Sequence, residues 1–205
     1  MKKDLIIFKL DDSKATNQYI NAIKKTDLSI DVVDTPTFDR EELEGKYLAS
    51  LVMKPYNANE HQKMTYSTLV CLLEDFNVEL NGIQYPTINA IVKTVEEMES
   101  NKNVVVIGRS EELGIPLANE LIRKDYIVTV VNSKNSYTST NADIVINTAP
   151  IESVAFPGLE TIIDVSGTIK ETNAKKVIKN IGKRTTKELE NMVKQLRKDY
   201  NDNVL

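Results

Sequence analysis

Cysteine is almost absent from this chain: Cys71 is the only one among 205 residues. A single thiol closes no internal disulfide and builds no zinc cluster, which fits a reducing, cytoplasmic compartment, and no metal site is expected. Cys71 stands within Leu69-Val70-Cys71-Leu72-Leu73, a setting that predicts a small core residue rather than a nucleophile. No apolar run approaches the roughly 20 residues that span a bilayer. The apolar start, Leu5 to Phe8, is broken by Lys9, Asp11 and Asp12 before it could form the hydrophobic region of a secretion signal. A basic excess is also missing: 26 Lys and Arg stand against 30 Asp and Glu, for a net charge of -4. That balance argues against a nucleic-acid surface. The one histidine, His61, lies in Asn59-Glu60-His61-Gln62 and reads as a surface residue at a helix start. There is no internal repeat and no low-complexity linker.

Hydrophobic residues make up 41% and charged residues 27% of the chain, enough apolar material for one large domain or two small ones. Leu5 to Leu10 is strand-like, and Asp11-Asp12-Ser13 offers cap chemistry for a helix through about Lys25. A short strand is expected over Ile30 to Val33, a helix from Phe38 to Tyr47, and a strand over Ala49 to Met53 that Pro55 stops. A helix from Glu60 to Phe76 follows, then a turn at Asn81-Gly82 and a helix opened by Pro86 and running to Met98. After the polar break Ser100-Asn101-Lys102-Asn103, the run Val104-Val105-Val106-Ile107 has the unbroken apolarity of a strand covered on both faces. A helix from Gly114 to Lys124 and strands over Ile127 to Val131, Asp143 to Asn147 and Thr161 to Val165 come next. This alternation predicts an α/β fold with a Rossmann-like parallel sheet. A last amphipathic helix is expected from Thr185 to Tyr200, and the lysines and arginine at 175, 176, 179, 183, 184 and 187 are placed mostly on solvated helix faces.

Gly108-Arg109-Ser110-Glu111-Glu112-Leu113-Gly114-Ile115-Pro116 joins a strand to a helix. That is where a dinucleotide pyrophosphate docks, because unpaired helix N–H groups and the macrodipole attract anions. Gly108 would allow the sharp exit from the strand and Gly114 the close approach of the helix. The spacing is not the usual G-x-G-x-x-G, so an ordinary strand-helix turn stays open as the alternative. The end of the next strand, Val131-Asn132-Ser133-Lys134-Asn135, lacks the carboxylate that would accept from an unphosphorylated ribose. With Ser133, Lys134 and Arg109 at hand, a 2′-phosphate is the better guest, which favours NADP over NAD.

These residues bring a family into view. Gly108-Arg109-Ser110 through Gly114-Ile115-Pro116 resembles the G-R-S-x-x-V-G-x-P signature of the bifunctional methylenetetrahydrofolate dehydrogenase/methenyltetrahydrofolate cyclohydrolase family. Thr129 to Lys134, Ala142-Asp143-Ile144-Val145-Ile146 and Ile163-Asp164-Val165 are similar to strand ends that follow in the same order there. The resemblance implies a cofactor domain over 85–184 and a smaller folate-binding α/β domain over 1–84, rejoined by the C-terminal helix over 185–205. It implies an NADP-dependent enzyme oxidising methylenetetrahydrofolate in one-carbon metabolism, a homodimer, and a cofactor held by Gly108, Arg109, Ser110, Gly114, Ser133 and Lys134.

In the N-terminal half, Asp11-Asp12, Ala15-Thr16, Tyr19 and Lys24 resemble the family's G-D-D-x-A-S-x-x-Y-x-x-x-K segment. By resemblance Tyr19 packs on the folate and a lysine drives proton chemistry, but the fourth residue after Tyr19 is Ile23. Lys24 is rotated about 100° from that position unless the helix carries a π-bulge. Val52-Met53-Lys54-Pro55 stands where the family has Val-Gln-Leu-Pro, so Met53 replaces the supporting amide and Lys54 becomes a second candidate cation. Asn81 takes the place of the aspartate that holds the pterin ring. These changes threaten the cyclohydrolase step, which needs a placed base, more than hydride transfer, which needs juxtaposition. The alternative is a degenerate, non-catalytic relative that binds nucleotide for sensing or assembly.

Overall fold

The computed structural model describes residues 2–34, 38–55, 58–73, 76, 85–98, 103–134, 141–179 and 181–204. In chain order the elements are β1 (Lys3–Phe8), α1 (Lys14–Ile23), β2 (Ile30–Val33), α2 (Arg40–Lys46), β3 (Tyr47–Val52), α3 (Glu60–Leu72) and α4 (Pro86–Glu96). Then come β4 (Asn103–Ile107), α5 (Gly114–Arg123), β5 (Ile127–Val131), β6 (Ile144–Asn147), β7 (Ser153–Val154), β8 (Thr161–Asp164), β9 (Glu171–Thr172), β10 (Lys176–Lys179) and α6 (Gly182–Val204). The chain divides into two compact units, one of Met1–Pro86 with Gly182–Leu205 and one of Thr87–Ile181.

The first unit is built on a parallel sheet ordered β2-β1-β3. β1 is buried from Asp4 to Phe8, and its side chains alternate between two cores, as a period of two requires. Leu5 and Ile7 join Ile20 and Ile23 of α1 and Leu189 and Val193 of α6 on one face. Ile6 and Phe8 join Leu43 of α2 and Leu69 and Leu73 around α3 on the other. Ser13 caps α1, its hydroxyl accepting from Thr16 N at 3.2 Å, and Asn59 and Gln62 form a capping box at the start of α3. α3 buries one stripe through Leu69, so Cys71, half a turn away, is exposed. The core placement expected of Cys71 is therefore corrected: a helix lying on one face of a sheet buries only the residues turned towards it.

α6 is tied to the sheet by an ion pair as well as by Leu189 and Val193. Arg197 donates to both oxygens of the buried Asp4 carboxylate, through Nε at 2.7 Å to Oδ1 and through an NH2 group to Oδ2. Ser29 completes the set, with N at 2.6 Å and Oγ at 2.8 Å from Oδ2. Burial raises the pKa of Asp4, but Arg197 and Ser29 outweigh it and hold the carboxyl below its ordinary value.

The second unit carries a five-stranded parallel sheet ordered β10-β8-β6-β4-β5. β4 is an interior strand, between β6 and β5, with Val104 to Ile107 all at or below 1% exposure, which explains its unbroken apolar run. α5 packs on β4 and β5. The opposite face is closed by Val154, Phe156 and Leu159 from the connection between β6 and β8 and by Ile169. That connection contains no helix but the two-residue strand β7, paired parallel with β9. Lys176 and Lys179, expected on helix faces, instead begin and end the edge strand β10, while Lys183, Arg184 and Lys187 do lie on α6. The segment 182–186 forms the first turns of α6.

Candidate dinucleotide and folate site residues

In the second unit, strand order reverses direction beside β4: the chain passes through α5 to β5 on one side and then to β6 on the other. A crevice opens at such a point outside the carboxyl ends of the strands, and ligands of open α/β sheets bind there. Gly108 leaves β4 at that end with φ +113°, a conformation that disfavours any side chain. A Cβ on it would collide with Thr148 Oγ1, a hydroxyl held by Ile107 O at 2.8 Å. Gly114 is as constrained: a Cβ there would overlap the carbonyl of Gly108. The two glycines thus bring the first turn of α5 against the end of β4, with a backbone surface that a side chain would fill.

Ser110 does what the missing middle glycine cannot. Its Oγ accepts from Leu113 N at 3.2 Å and Gly114 N at 3.3 Å, and its carbonyl accepts from Ile115 N at 3.0 Å. Pro116 has no N–H. The first amides of α5 are therefore already bonded within the turn, so they differ from the open helix mouth expected from sequence. The amides of Arg109, Ser110 and Glu111 have no hydrogen-bond partner among the described residues. Because the Ser110 oxygen accepts two N–H groups, its own hydrogen is left to point outward. An anion at this turn would meet that hydroxyl, the amides of 109–111 and the exposed Arg109 guanidinium.

β5 ends beside β4, with Ile107 opposite Val131 and Gly108 N donating to Val131 O at 3.0 Å. Asn132 Oδ1 then accepts from Lys134 N at 3.1 Å, a local turn that presents a half-buried Ser133 and an exposed Lys134. The fold thus brings Gly108, Arg109, Ser110, Gly114, Ser133 and Lys134 to one edge of adjacent strands. No carboxylate occurs among residues 131 to 134.

The candidates of the first unit are not gathered in this way. α1 returns from the carboxyl end of β1 towards the start of β2, so Lys24, its exposed C-cap, lies at the end of the sheet where strands begin. Lys54, exposed, follows β3 at the opposite end. Lys24 N bonds Ile20 O at 2.9 Å, the ordinary helical spacing, so no π-bulge turns its side chain. Ile23, the fourth residue after Tyr19, is 0% exposed, and Met53 is 9% exposed in the same core cluster. Tyr19 packs against that cluster, its hydroxyl oxygen buried. Asn81 lies outside the described residues. His61 is exposed in the first turn of α3, as its sequence setting suggests.

Sequence reasoning passed over three polar residues at strand ends. Lys9, one residue past β1, has Nζ at 2.7 Å from Asp12 and 3.1 Å from Asp34, and these two carboxylates raise its pKa. Asn147 and Asp164 close β6 and β8 and are 0% and 1% exposed. For Asn147 the available signal was a polar residue ending an otherwise apolar four-residue strand; β8 also opens on polar Thr161, so Asp164 stood out less.

Residues 86–194, more than half of the chain, match the family described as tetrahydrofolate dehydrogenase/cyclohydrolase, NAD(P)-binding domain. A curated relative, bifunctional protein FolD of Rickettsia canadensis, is 37% identical over 99 residues, or 45% of this chain and 34% of that protein. The chain matches only about a third of that relative's length. A 5,10-methylenetetrahydrofolate dehydrogenase structure from Bombyx mori aligns at TM-score 0.69 and 18% identity, covering 97% of this chain and 88% of that one. A bifunctional 5,10-methylenetetrahydrofolate dehydrogenase/cyclohydrolase from Thermoplasma acidophilum aligns at TM-score 0.70 and 17% identity, covering 98% and 91%. At these identities the structures establish a shared α/β fold with parallel sheets. Together with the family match over the glycine turn, they show that the chain belongs to the tetrahydrofolate dehydrogenase/cyclohydrolase family, with an NAD(P)-binding domain in its second half.

Proposed function

We propose that this chain is an NADP-dependent methylenetetrahydrofolate dehydrogenase of one-carbon metabolism that lacks effective cyclohydrolase activity. The observation that carries the reading is the turn at the end of β4, where a Cβ on Gly108 or Gly114 has no room and Arg109 and Ser110 stand exposed beside Ser133 and Lys134. Bare backbone suits a pyrophosphate, and two cations with a hydroxyl, and no carboxylate among residues 131 to 134, suit a 2′-phosphate. NADP supplies the hydride acceptor when bound. The chain's residues hold and orient it, and hydride transfer asks for little more than alignment of two rings.

Hydrolysis asks for more. It needs a group that moves a proton to or from water, and Ile23 and Met53 put buried hydrocarbon at two positions where the family resemblance places such groups. The first unit, Met1–Pro86 with Gly182–Leu205, is assigned the folate. Lys54 is preferred to Lys24 for polarising it, because ligands of parallel sheets collect at the carboxyl ends of strands. Tyr19 and Asn81 remain assigned to the ring. A homodimer is proposed from the family resemblance, and sedimentation checks it. Among the described residues no helix is long and apolar enough to cross a membrane, and a cytoplasmic location is proposed with the single cysteine in mind.

Purified protein mixed with methylenetetrahydrofolate and NADP is expected to generate reduced nicotinamide absorbance, while methenyltetrahydrofolate accumulates and decays at its uncatalysed rate. Absence of reduction at high enzyme concentration overturns the dehydrogenase assignment. The competing reading is a nucleotide-binding relative without turnover. NADP binding by calorimetry with no reduction is its signature.

A further inference from the structure

Asn147 and Asp164 form a deeply buried polar pair in the second unit. They are register partners at the ends of β6 and β8, 0% and 1% exposed. Asn147 Nδ2 donates to Asp164 Oδ1 at 3.0 Å and to Ser166 Oγ at 2.7 Å, while its Oδ1 accepts from Ala149 N at 3.2 Å. Asp164 Oδ1 also accepts from Ser166 Oγ at 2.9 Å and Gly167 N at 3.0 Å, and Oδ2 accepts from Ile169 N at 2.9 Å. One carboxylate thus organises the whole loop after its own strand, and its amide neighbour anchors the loop after β6.

The two loops are then joined to each other. Thr168 Oγ1 donates to Ile151 O at 2.6 Å, and Lys170 N donates to Glu152 O at 2.7 Å. Lys179, opposite Asp164 in β10, does not pair with the carboxylate; its Nζ donates to Ile169 O at 2.8 Å. The main chain of Ile169 is therefore held on both sides, by an anion on its N–H and a cation on its C=O. Burying a carboxylate is costly unless several donors satisfy it, and here every donor but the Asn147 amide comes from the loop at the carboxyl end of β8. The effect of the arrangement is to fix the shape of those loops.

Their place gives the shape a use. A dinucleotide straddles the sheet where strand order reverses, which in this unit is between β4 and β6. Arg109, Ser133 and Lys134 lie on the β4–β5 side, where the phosphorylated adenosine belongs. The other half of the dinucleotide then falls over the ends of β6 and β8, against residues 148–151 and 165–170. We propose that Asp164 is a positioning residue which, with Asn147, sets these paired loops as the seat of the nicotinamide ring and leaves the adenosine half untouched. The inference rests on the dinucleotide reading above.

Asp164→Asn separates the two halves of the ligand. An amide in place of the carboxylate turns an N–H towards either Ile169 N or Gly167 N, so at least one loop bond is lost. Calorimetry with NADP and with 2′,5′-ADP, which lacks the ring, reads the result. The variant is expected to bind NADP about tenfold more weakly, with 2′,5′-ADP held within about twofold. Its kcat should fall by about tenfold or more through misorientation of the ring. Equal weakening of both ligands, or no change in either, overturns the proposal. If Asp164→Asn does not fold, Thr168→Val keeps all the Asp164 bonds and removes the hydroxyl that ties the loops, together with its 2.8 Å contact to Ser166 Oγ. It is expected to lower kcat with 2′,5′-ADP binding intact, and an unchanged kcat overturns the proposal. Wild-type protein that binds neither nucleotide overturns the dinucleotide reading and this inference together; wild-type binding with unaffected variants overturns the inference alone.

Discussion

At the scale of the residue, the turn after β4 rests on two hydrogen atoms where other residues carry a Cβ. Gly108 can be displaced at some cost, because the obstacle is a threonine hydroxyl that can rotate, although its φ of +113° still penalises a side chain. Gly114 has no such outlet. Its obstacle is the Gly108 carbonyl, main chain fixed at the end of an interior strand. Gly114→Ala is therefore expected to push α5 off β4 and to destabilise the second unit by about 2 kcal/mol or more. NADP affinity should fall with it, since Ser110 and the amides of 109–111 move with the helix. Thermal denaturation and calorimetry on the purified variant check both; a variant with wild-type stability would show that the helix can shift without loss. Ser110 illustrates why the spacing here departs from the usual fingerprint: with a hydroxyl to cap Leu113 N and Gly114 N, the turn closes without a glycine at its centre.

At the scale of the element, Asp4 and Arg197 make the attachment of α6 dependent on charge. Asp4 titrates below its unfolded value, so its contribution to stability is complete above about pH 4 and is lost as pH falls through the lower folded value. Arg197→Met leaves a buried carboxylate with Ser29 alone. The half-exposed setting of Arg197 lets water relieve part of the loss, so the expected cost is roughly 2 kcal/mol. Urea denaturation at about pH 7 and about pH 3 tests the assignment: the deficit should be clear at the first and narrow at the second, as Asp4 becomes protonated. An equal deficit at both would assign the loss to packing of the arginine stem. Elements of this kind were unequally legible in the sequence. β4 announced itself because a strand covered on both faces tolerates only apolar residues, and the glycine turn because bare backbone needs glycine. β10 did not, since an edge strand with lysines at both ends offers only Val177 and Ile178 as apolar residues, too few to show a period. β7 and β9, two residues each, have none to show. The Asn147–Asp164 brace depends on register between strands 17 residues apart in sequence, which no local pattern encodes. Cys71 misled for the converse reason: its neighbours are apolar, but the helix turns it to water.

At the scale of the whole molecule, the chain leaves its first unit near Pro86 and returns at Gly182. That unit is consequently discontinuous, and its core is completed by residues that follow the second unit in the chain. Leu189 and Val193, both 0% exposed, cover the face of β1 and β3 that α1 alone does not close. A three-stranded sheet with one face half open has little apolar area to set against the entropy of ordering its chain. Ending the chain after Ile181 removes those two side chains, the packing of Leu196 and the Arg197 partner of Asp4 together. The first unit is then expected to lose cooperative folding. The second unit keeps its sheet, the Gly108–Gly114 turn and the Asn147–Asp164 brace, all within Thr87–Ile181. Proton–nitrogen correlation spectra of the truncated protein should thus show dispersed signals for the second unit and collapsed ones for the first. NADP should still shift the dispersed set while turnover disappears. Dispersed signals from both units would show that α6 is dispensable to the first, and that the sheet β2-β1-β3 with α1, α2 and α3 encloses a sufficient core without it.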